Sequence, residues 1–566
     1  MKIDKSIVCD IFVAGAGIAG IMAAITAAQQ GKKVIIASST HLFSGSSFYP
    51  GTWGLGLIGP ENDQDVESLV QSILQVGCGM ADEEMVRTFV EGITPAIEYV
   101  KKLGVKLKTA QDNTQKEFIP CFDHKKRGWN GILFDSAREV FQKTMEDLHV
   151  CQMPDTELLE ILVRGGKVQG AVVRTKQEIL GISCSALVLA TGGYGGLFEH
   201  RLTTDDVCGM GQYLALQQGC TLVNMEYMQM MPGYLSPCYK TIFNEKTFRF
   251  TELSDGDGQD LMARIQPGDR KQKLLEQRSG YGPFTSRLES REVDFAILRG
   301  EQRCKDGVTV TYRQEMKEHM PEFVKTYFDW LKEKKNLTPD DPVHIGMFAH
   351  AANGGIKIRP DASTGVTGLF ACGEVTGGMH GADRIGGLST ANGLVFGRKA
   401  GDSAAAWVDA CTRENAETAE VEKGKAEATK TVNAARAAEK EQLENINFDM
   451  RAVRDADSIR KKLQHLMTEN AMVIRSGQRL ETALESIRAI RAGLEYYGTE
   501  DLEAICQTRR LEAQLTLSEG ILMAEKLRTE SRGSHFREDF PEQNPEFTKC
   551  IVLNMEHDIC KAEVVR

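Results

Sequence analysis

The chain has 566 residues, 42% hydrophobic and 26% charged, the composition of an ordinary globular protein of about three or four domains with ample core. Its formal net charge of −11 argues against nucleic acid as the main partner. Its 14 cysteines include no C-x-x-C pair and no clustered Cys/His spacing, which argues for reduced thiols and against an iron–sulfur cluster, c-type haem or metal site.

Met1 to Ser6 is mostly polar and leads directly into a strand. The apolar run after it is broken by glycines and is too short for a membrane span, so the expected location is the cytoplasm. Ile7 to Ala14 reads as one buried strand, apolar apart from Asp10. Gly15-Ala16-Gly17-Ile18-Ala19-Gly20 follows at once. An Ala-rich helix then runs to about Gln30, Gly31 ends it, and Val34 to Ala37 is a second strand. A G-x-G-x-x-G turn between a strand and a helix lets backbone N–H groups approach a pyrophosphate, whose charge the helix dipole favours. The acid expected at the end of the second strand to bind a ribose is absent; Ser38 and Ser39 stand there.

Ser44 to Gly54, with Ser46 and Ser47, is a small-residue loop of the kind that runs under a flavin ring. Leu69 to Leu103 has helical periodicity. The basic run His124, Lys125, Lys126, Arg127 reads as a solvated loop before a helix from about Phe134 to Leu148. Val163 to Val173 reads as a hairpin turning at Gly165-Gly166, and Ile182 to Ala190 as a return strand ending in Ala190-Thr191-Gly192-Gly193.

The stretch from Phe348 to Gly401 carries His350 ahead of Gly354-Gly355, then a short apolar strand ending in Gly373-Glu374. The run His380 to Gly387 follows, with Arg384 among small residues. A helix begins near Ser389, with Ser389 as N-cap, and packs Leu394, Val395 and Phe396 on a core. A helix N-terminus beside an arginine and a histidine is an anion-binding arrangement. The turns at Gly15, Gly192 and Gly373 together make a three-point cradle for a long dinucleotide such as FAD. Thr412 to Leu443 is an Ala/Glu/Lys-rich helix former, and Ala471 to Leu527 carries further long helical patterns.

The sequence resembles the flavoprotein family of fumarate reductase, succinate dehydrogenase and L-aspartate oxidase. The matching motifs are Gly15-x-Gly17-x-x-Gly20, Ala190-Thr-Gly-Gly193, Met225-Glu226-Tyr227-Met228-Gln229, Thr251-Glu252 with Gly256-Asp257-Gly258, and Thr285-Ser286-Arg287. They continue with His350-Ala-Ala-Asn-Gly-Gly355, Gly373-Glu374, His380-Gly-Ala-Asp-Arg384 and Glu530-Ser-Arg-Gly-Ser-His535. The resemblance implies an α/β fold. A Rossmann-like FAD-binding domain spans 1–232 and 345–411, with an α+β capping domain inserted at 233–344. A helical domain follows at 412–530 and a tail at 531–566.

The resemblance also implies roles. FAD would be held by Gly15, Gly17, Ala19, Gly20, Ser38, Ser39, Ser46, Ser47, Ala190, Thr191, Gly192, Gly193, Gly373, Glu374, Leu388 and Ser389. His350 and Arg384 would bind a substrate carboxylate, Arg287 would donate a proton, and Glu252 would belong to its relay. Thr251 and Met231 would face the substrate. His380 has a packing or hydrogen-bonding role as readily as a contact. The chain departs from the family at Met231, where fumarate reductases have a histidine, and at Asp255, where the relay has an arginine. Both departures favour an acid with one carboxylate and a bulkier apolar or cationic end over fumarate. Ser46 stands where membrane-bound members carry the histidine bonded to flavin, so noncovalent FAD is expected.

The leading reading is an FAD-dependent enoate reductase of the fumarate reductase type. The alternatives are an oxidase or dehydrogenase of an L-amino acid such as L-aspartate, and a flavin-binding electron-transfer subunit with no substrate chemistry of its own. With no haem, cluster or second dinucleotide motif, electrons are expected to come from another protein or a free reduced flavin, or to go to a diffusible acceptor, with quinone, oxygen and an iron–sulfur partner all open.

Overall fold

The computed structural model describes residues 3, 5–52, 54–109, 125, 127, 129–263, 269–304, 306–423 and 448–565. The run read as one strand from Ile7 to Ala14 is two strands in two sheets. Ser6–Val8 pairs with Ile179–Ser183, whereas Ile11–Ala14 pairs with Ala186–Leu189. The return run Ile182 to Ala190 breaks at the same level. Asp10 marks the break. Its carboxylate accepts the Lys33 N–H at 2.8 Å, and its carbonyl takes the N–H groups of Ser185 and Ala186 at 3.1 and 3.2 Å. The backbone groups released where the chains change sheets are thus paired locally.

The central sheet is five-stranded and parallel, in the order Leu369–Ala371, Ala186–Leu189, Ile11–Ala14, Val34–Ala37, Cys151–Met153. Its strands are continuous apolar runs because helices cover it. One such helix, Ile18–Gln29, is buried from Ile18 through Ala28. It lies against the helix Leu388–Lys423 at Gly397 and Gly401. A methyl added at either glycine would stand 2.5 Å from the carbonyl oxygen of Ala19 or Ala23, so only glycine lets these backbones come so close. This second helix begins at Leu388, so Ser389 falls inside its first turn and is not the N-cap.

The Val163–Val173 hairpin turns at Gly165-Gly166 between Glu157–Arg164 and Lys167–Arg174. Residues 233–344 contribute most of a four-stranded antiparallel sheet: Met228–Ser236, Val343–Ala352, Val308–Tyr312, Thr251–Ser254. Its first two strands form a long ribbon. The helices Ala456–Ala471 and Gly477–Ala492 pack on Leu502–Leu527, which also meets the helix Met210–Gln217. The final residues form a hairpin, Cys550–Glu556 with Ile559–Val565, which pairs with Leu222–Val223. Part of the Ala/Glu/Lys-rich stretch after Lys423, and His124 and Lys126 of the basic run, lie outside the described residues. Among the described residues no helix is long and apolar enough to cross a membrane.

Candidate functional site

A cavity of about 610 Å³ follows the C-terminal edge of the parallel sheet. Its wall takes the strands in spatial order: Gly373 and Glu374, then Ala190, Thr191 and Gly192, then Gly15, Gly17 and Ala19, then Ser38 and Ser39, and finally Thr156 and Glu157. This is where an open parallel sheet binds ligands. Four strand spacings of about 4.8 Å make the groove roughly 19 Å across, suited to a long dinucleotide.

The turn at its centre is built for close approach. Gly15 has φ +110°, and an added Cβ would meet the Ala190 carbonyl oxygen at 2.2 Å. Gly20 does not line the cavity. It holds the turn from behind, where a Cβ would lie 1.9 Å from the Gly15 oxygen. The Ile18 N–H, first of the helix, is accepted by Ser47 Oγ at 3.1 Å, and Ser46 Oγ lies 3.1 Å from Thr203 Oγ1. Gly193 and Leu388 also stand behind the wall; Gly193 gives room to the Glu374 carboxylate, which accepts the Ala352 N–H at 2.9 Å. Burial pushes the Glu374 carboxyl up despite that bond. Thr191 Oγ1 is buried in the groove without a partner among the described residues. Bare backbone, a helix N-terminus and a waiting hydroxyl all fit the phosphates and flavin of FAD.

At the Glu374 end stand His350, Arg384 and Met231. His350 sits on a β-bulge. Gln229 pairs with Ala351 and Met230 with Ala349, so His350 has no opposite number. A bulge re-aims a side chain, here into the cavity. Its Nδ1 has no partner among the described residues, and burial followed by the Arg384 charge lowers its pKa to about 3, so it is a neutral imidazole. Arg384 is buried, and its Nε donates to Gln229 Oε1 at 3.0 Å. Gln229 is on the same ribbon as His350, so one element sets both groups. Met231 packs in a small apolar cluster with Tyr49, Leu202, Ile242 and Phe348, separate from the main core. Four of these five, Tyr49, Leu202, Met231 and Ile242, line the cavity. Residues of the inserted segment close it, among them Glu245, Pro283, Phe323 and Trp330.

Other expected site residues lie off the cavity. Glu252 is exposed, because alternation along Thr251–Ser254 buries Thr251 and Leu253 and turns the residue between them to solvent. Thr251 is buried but donates its hydroxyl to the Phe248 carbonyl. Asp255 accepts the N–H groups of Asp257 and Gln259, so it shapes its own turn. Arg287 does not line the cavity; its Nε donates to Asp383 Oδ2 at 2.9 Å, and Thr285 donates to the same oxygen at 2.7 Å. Burial is the strongest single influence on Arg287 and lowers its pKa, but the charge and hydrogen bond of Asp383, with Cys78 and Tyr281, together outweigh it and the net shift is upward, opposite to what a proton donor needs. Asp383 in turn is pushed up to about 6 by burial, against the pull of Arg287. His380 is buried edge-on to Phe89 and has its pKa lowered to about 3 by burial and then Arg384, so it is a packing residue.

Sequence reasoning missed the supports. Gln229 stood in a matching motif, yet nothing local shows that it reaches a residue 155 positions away. The Glu530–His535 motif is a buttress rather than a surface. Arg528 bonds Glu226 and Glu530 at 2.8 Å each, Arg532 bonds Glu530 at 2.7 Å, and all four side chains are buried. From there Ser534 Oγ donates to the Ala382 carbonyl at 3.1 Å, and the Gly533 carbonyl takes the Ser286 N–H at 2.7 Å. The loop bearing Arg384 and the segment bearing Arg287 are therefore fixed to one buried ionic knot. Removing one partner of such a knot strands a buried charge, at a cost of about 3–5 kcal/mol.

Comparisons with known proteins agree with this geometry. A family model described as "FAD binding domain" matches residues 10–390, and one described as "Fumarate reductase flavoprotein C-term" matches residues 460–564. One subunit of the fumarate reductase (CoM/CoB) of Methanothermobacter marburgensis is 26% identical, over 96% of this chain and 97% of its own length. The L-aspartate oxidase of Vibrio cholerae is also 26% identical, over 98% and 99%. Among solved structures, a quinol–fumarate reductase with menaquinol has the same fold, with TM-score 0.77 and 21% identity over 99% of this chain and 98% of its own. So does Sdh1 of Mycobacterium smegmatis in complex with UQ1, with TM-score 0.77 and 22% identity over 99% and 94%. The chain therefore belongs to the FAD-binding family that includes the fumarate reductase and L-aspartate oxidase flavoproteins, and it is an FAD-dependent oxidoreductase.

Proposed function

We propose that the protein reduces the carbon–carbon double bond of an enoate with one carboxylate and an apolar substituent. The observation that carries this reading is the mixed lining of the cavity, which joins Arg384 and His350 to the apolar cluster of Tyr49, Leu202, Met231 and Ile242. FAD bound along the sheet edge supplies the hydride. The Arg384 fork, aimed by Gln229, grips the carboxylate, and neutral His350 adds an N–H. As electron density moves onto that carboxylate, a buried cation stabilises it more than water would.

Arg287 is proposed as the proton donor, with Asp383 as the group that returns a proton to it. Their direct bond supports this, Arg287 Nε donating to Asp383 Oδ2 at 2.9 Å, and burial pushes the Asp383 carboxyl up to about 6. The upward shift of Arg287 and its place off the cavity wall stand against this role, which substitution of Arg287 tests. The exposed Glu252 has no part in this relay. Electrons reach the flavin from a partner protein, free reduced flavin or a reduced quinone (a quinol), and FAD is held without a covalent bond, with Ser46 facing Thr203 at 3.1 Å. Acid precipitation should leave a colourless pellet.

The direct test is to reduce the purified protein without oxygen and ask which acid re-oxidises it. Aryl- and alkyl-enoates should outrun fumarate; a clear preference for fumarate would end the proposal. A second reading, oxidation of an L-amino acid, is favoured by Glu245, a buried carboxyl on the cavity wall able to pair with an ammonium group, and by the Vibrio cholerae relative. Peroxide release with L-aspartate would select it. A subunit with no substrate chemistry is disfavoured by the joint retention of Arg384 and His350 on the wall.

A further inference from the structure

We infer that Asp206 is the residue that anchors the adenosine ribose of FAD. The second strand ends in Ser38 and Ser39, neither of which is an acid, yet the groove there is not without one. Asp206 reaches it from the loop before the helix Met210–Gln217. Its Oδ2 accepts hydrogen bonds from Ser44 Oγ at 3.1 Å and Thr40 Oγ1 at 3.2 Å, both on the segment that follows the second strand. Its Oδ1 is buried with no partner among the described residues. The carboxylate is thus clamped by one oxygen and left with an acceptor to spare.

Two other polar side chains at this end, Ser38 and Glu157, are already engaged. Ser38 Oγ donates to the His41 carbonyl at 3.0 Å. Glu157 lines the same part of the wall, but Arg510 bonds both of its oxygens, at 2.6 and 2.7 Å. Asp205, the neighbour of Asp206, does not line the cavity and pairs with Arg201 and Lys240. A carboxylate offers only acceptors, so the ligand group that completes Asp206 is a hydroxyl donor and not a phosphate. Thr156, whose N–H is accepted by the Ser38 carbonyl at 2.7 Å, fixes this corner opposite the Gly373 end. A dinucleotide with its flavin at His350 and its pyrophosphate at Gly15 brings its ribose diol to this corner. The carboxylate missing from the second strand is supplied from elsewhere in the chain and tied to that strand's exit by two hydroxyls.

The test is a binding cycle on the apoprotein, with flavin fluorescence reporting affinity. The ligands are FAD and FAD carrying 2′,3′-dideoxyadenosine, each titrated into wild type and Asp206→Asn. Wild type should bind the dideoxy ligand about 10- to 100-fold more weakly than FAD, the range for a hydrogen bond to a charged group. Asp206→Asn should lose most of that difference. Equal affinity of wild type for the two ligands overturns the assignment, and it does so even if the variant fails to fold. A variant that weakens both ligands equally also overturns it, because Asp206 would then only brace the loop from Thr40 to Ser44.

Discussion

Gln229 Oε1 accepts the Arg384 Nε–H at 3.0 Å, although 155 residues separate them. This bond ties the loop that carries the cation to the ribbon that carries His350. Both partners are buried, so the bond holds one geometry.

Replacing Gln229 with Ala should cost about tenfold in kcat/KM for the preferred acid, the value of one lost hydrogen bond to a buried charge. The loss should appear as a raised KM, with flavin content unchanged. Steady-state kinetics on the flavin-loaded variant measure it.

Met231 lines the cavity together with Arg384 and donates no hydrogen bond. Met231→His should place a second N–H there and raise the rate with fumarate relative to an aryl-enoate by about tenfold. Competition between the two acids in one re-oxidation experiment gives the ratio directly.

Arg287→Ala should leave FAD bound and slow re-oxidation by the acid about 10²- to 10⁴-fold, the span of a lost general acid. Arg287→Lys should recover little if the guanidinium transfers the proton. Near-complete recovery with Lys would show that only the ion pair with Asp383 matters. Stopped-flow absorbance of the flavin separates the outcomes.

His380 gives a pH prediction whose sign follows from its buried neutral ring. Its folded pKa is lowered from 6.5 to about 3, so below 6.5 the unfolded chain binds the extra proton. Stability from this residue is intact above pH 6.5 and falls as pH drops from there to about 3. Asp383, pushed up to about 6, slopes the other way across pH 4–6. Comparing wild type with His380→Asn isolates the histidine. The acid-side slope of unfolding free energy should flatten by up to about 1.4 kcal/mol per pH unit. Urea melts at pH 4, 5, 6 and 7 measure it.

Much of the nucleotide-binding half could be read from the sequence, because its signals are local. The turn at Gly15–Gly20 lies between a strand and a helix, and the hairpin turns on two adjacent glycines. The break at Asp10 was not legible, since both halves of the run are apolar and only the pairing partners differ. Glu252 was given its relay role by the resemblance alone, and a motif match does not show which face of a strand its residue takes; here it is the solvent face. The bulge at His350 is a relation between strands more than a hundred residues apart, which no single segment records. Residues brought together by the sheet edge, such as Asp206 and Ser44, share no sequence spacing to find.

The ribbon of Met228–Ser236 with Val343–Ala352 has an engineering consequence. It is at once the stalk of the inserted segment and the mount for Gln229, Met231 and His350. A graft that exchanges the insert between relatives must keep the phase of this stalk, because a slip of one residue would swap its two faces and send His350 out of the pocket. Junctions placed beyond Ser236 and before Val343 preserve it. A junction inside the ribbon would exchange the lid and dismantle the grip in one cut.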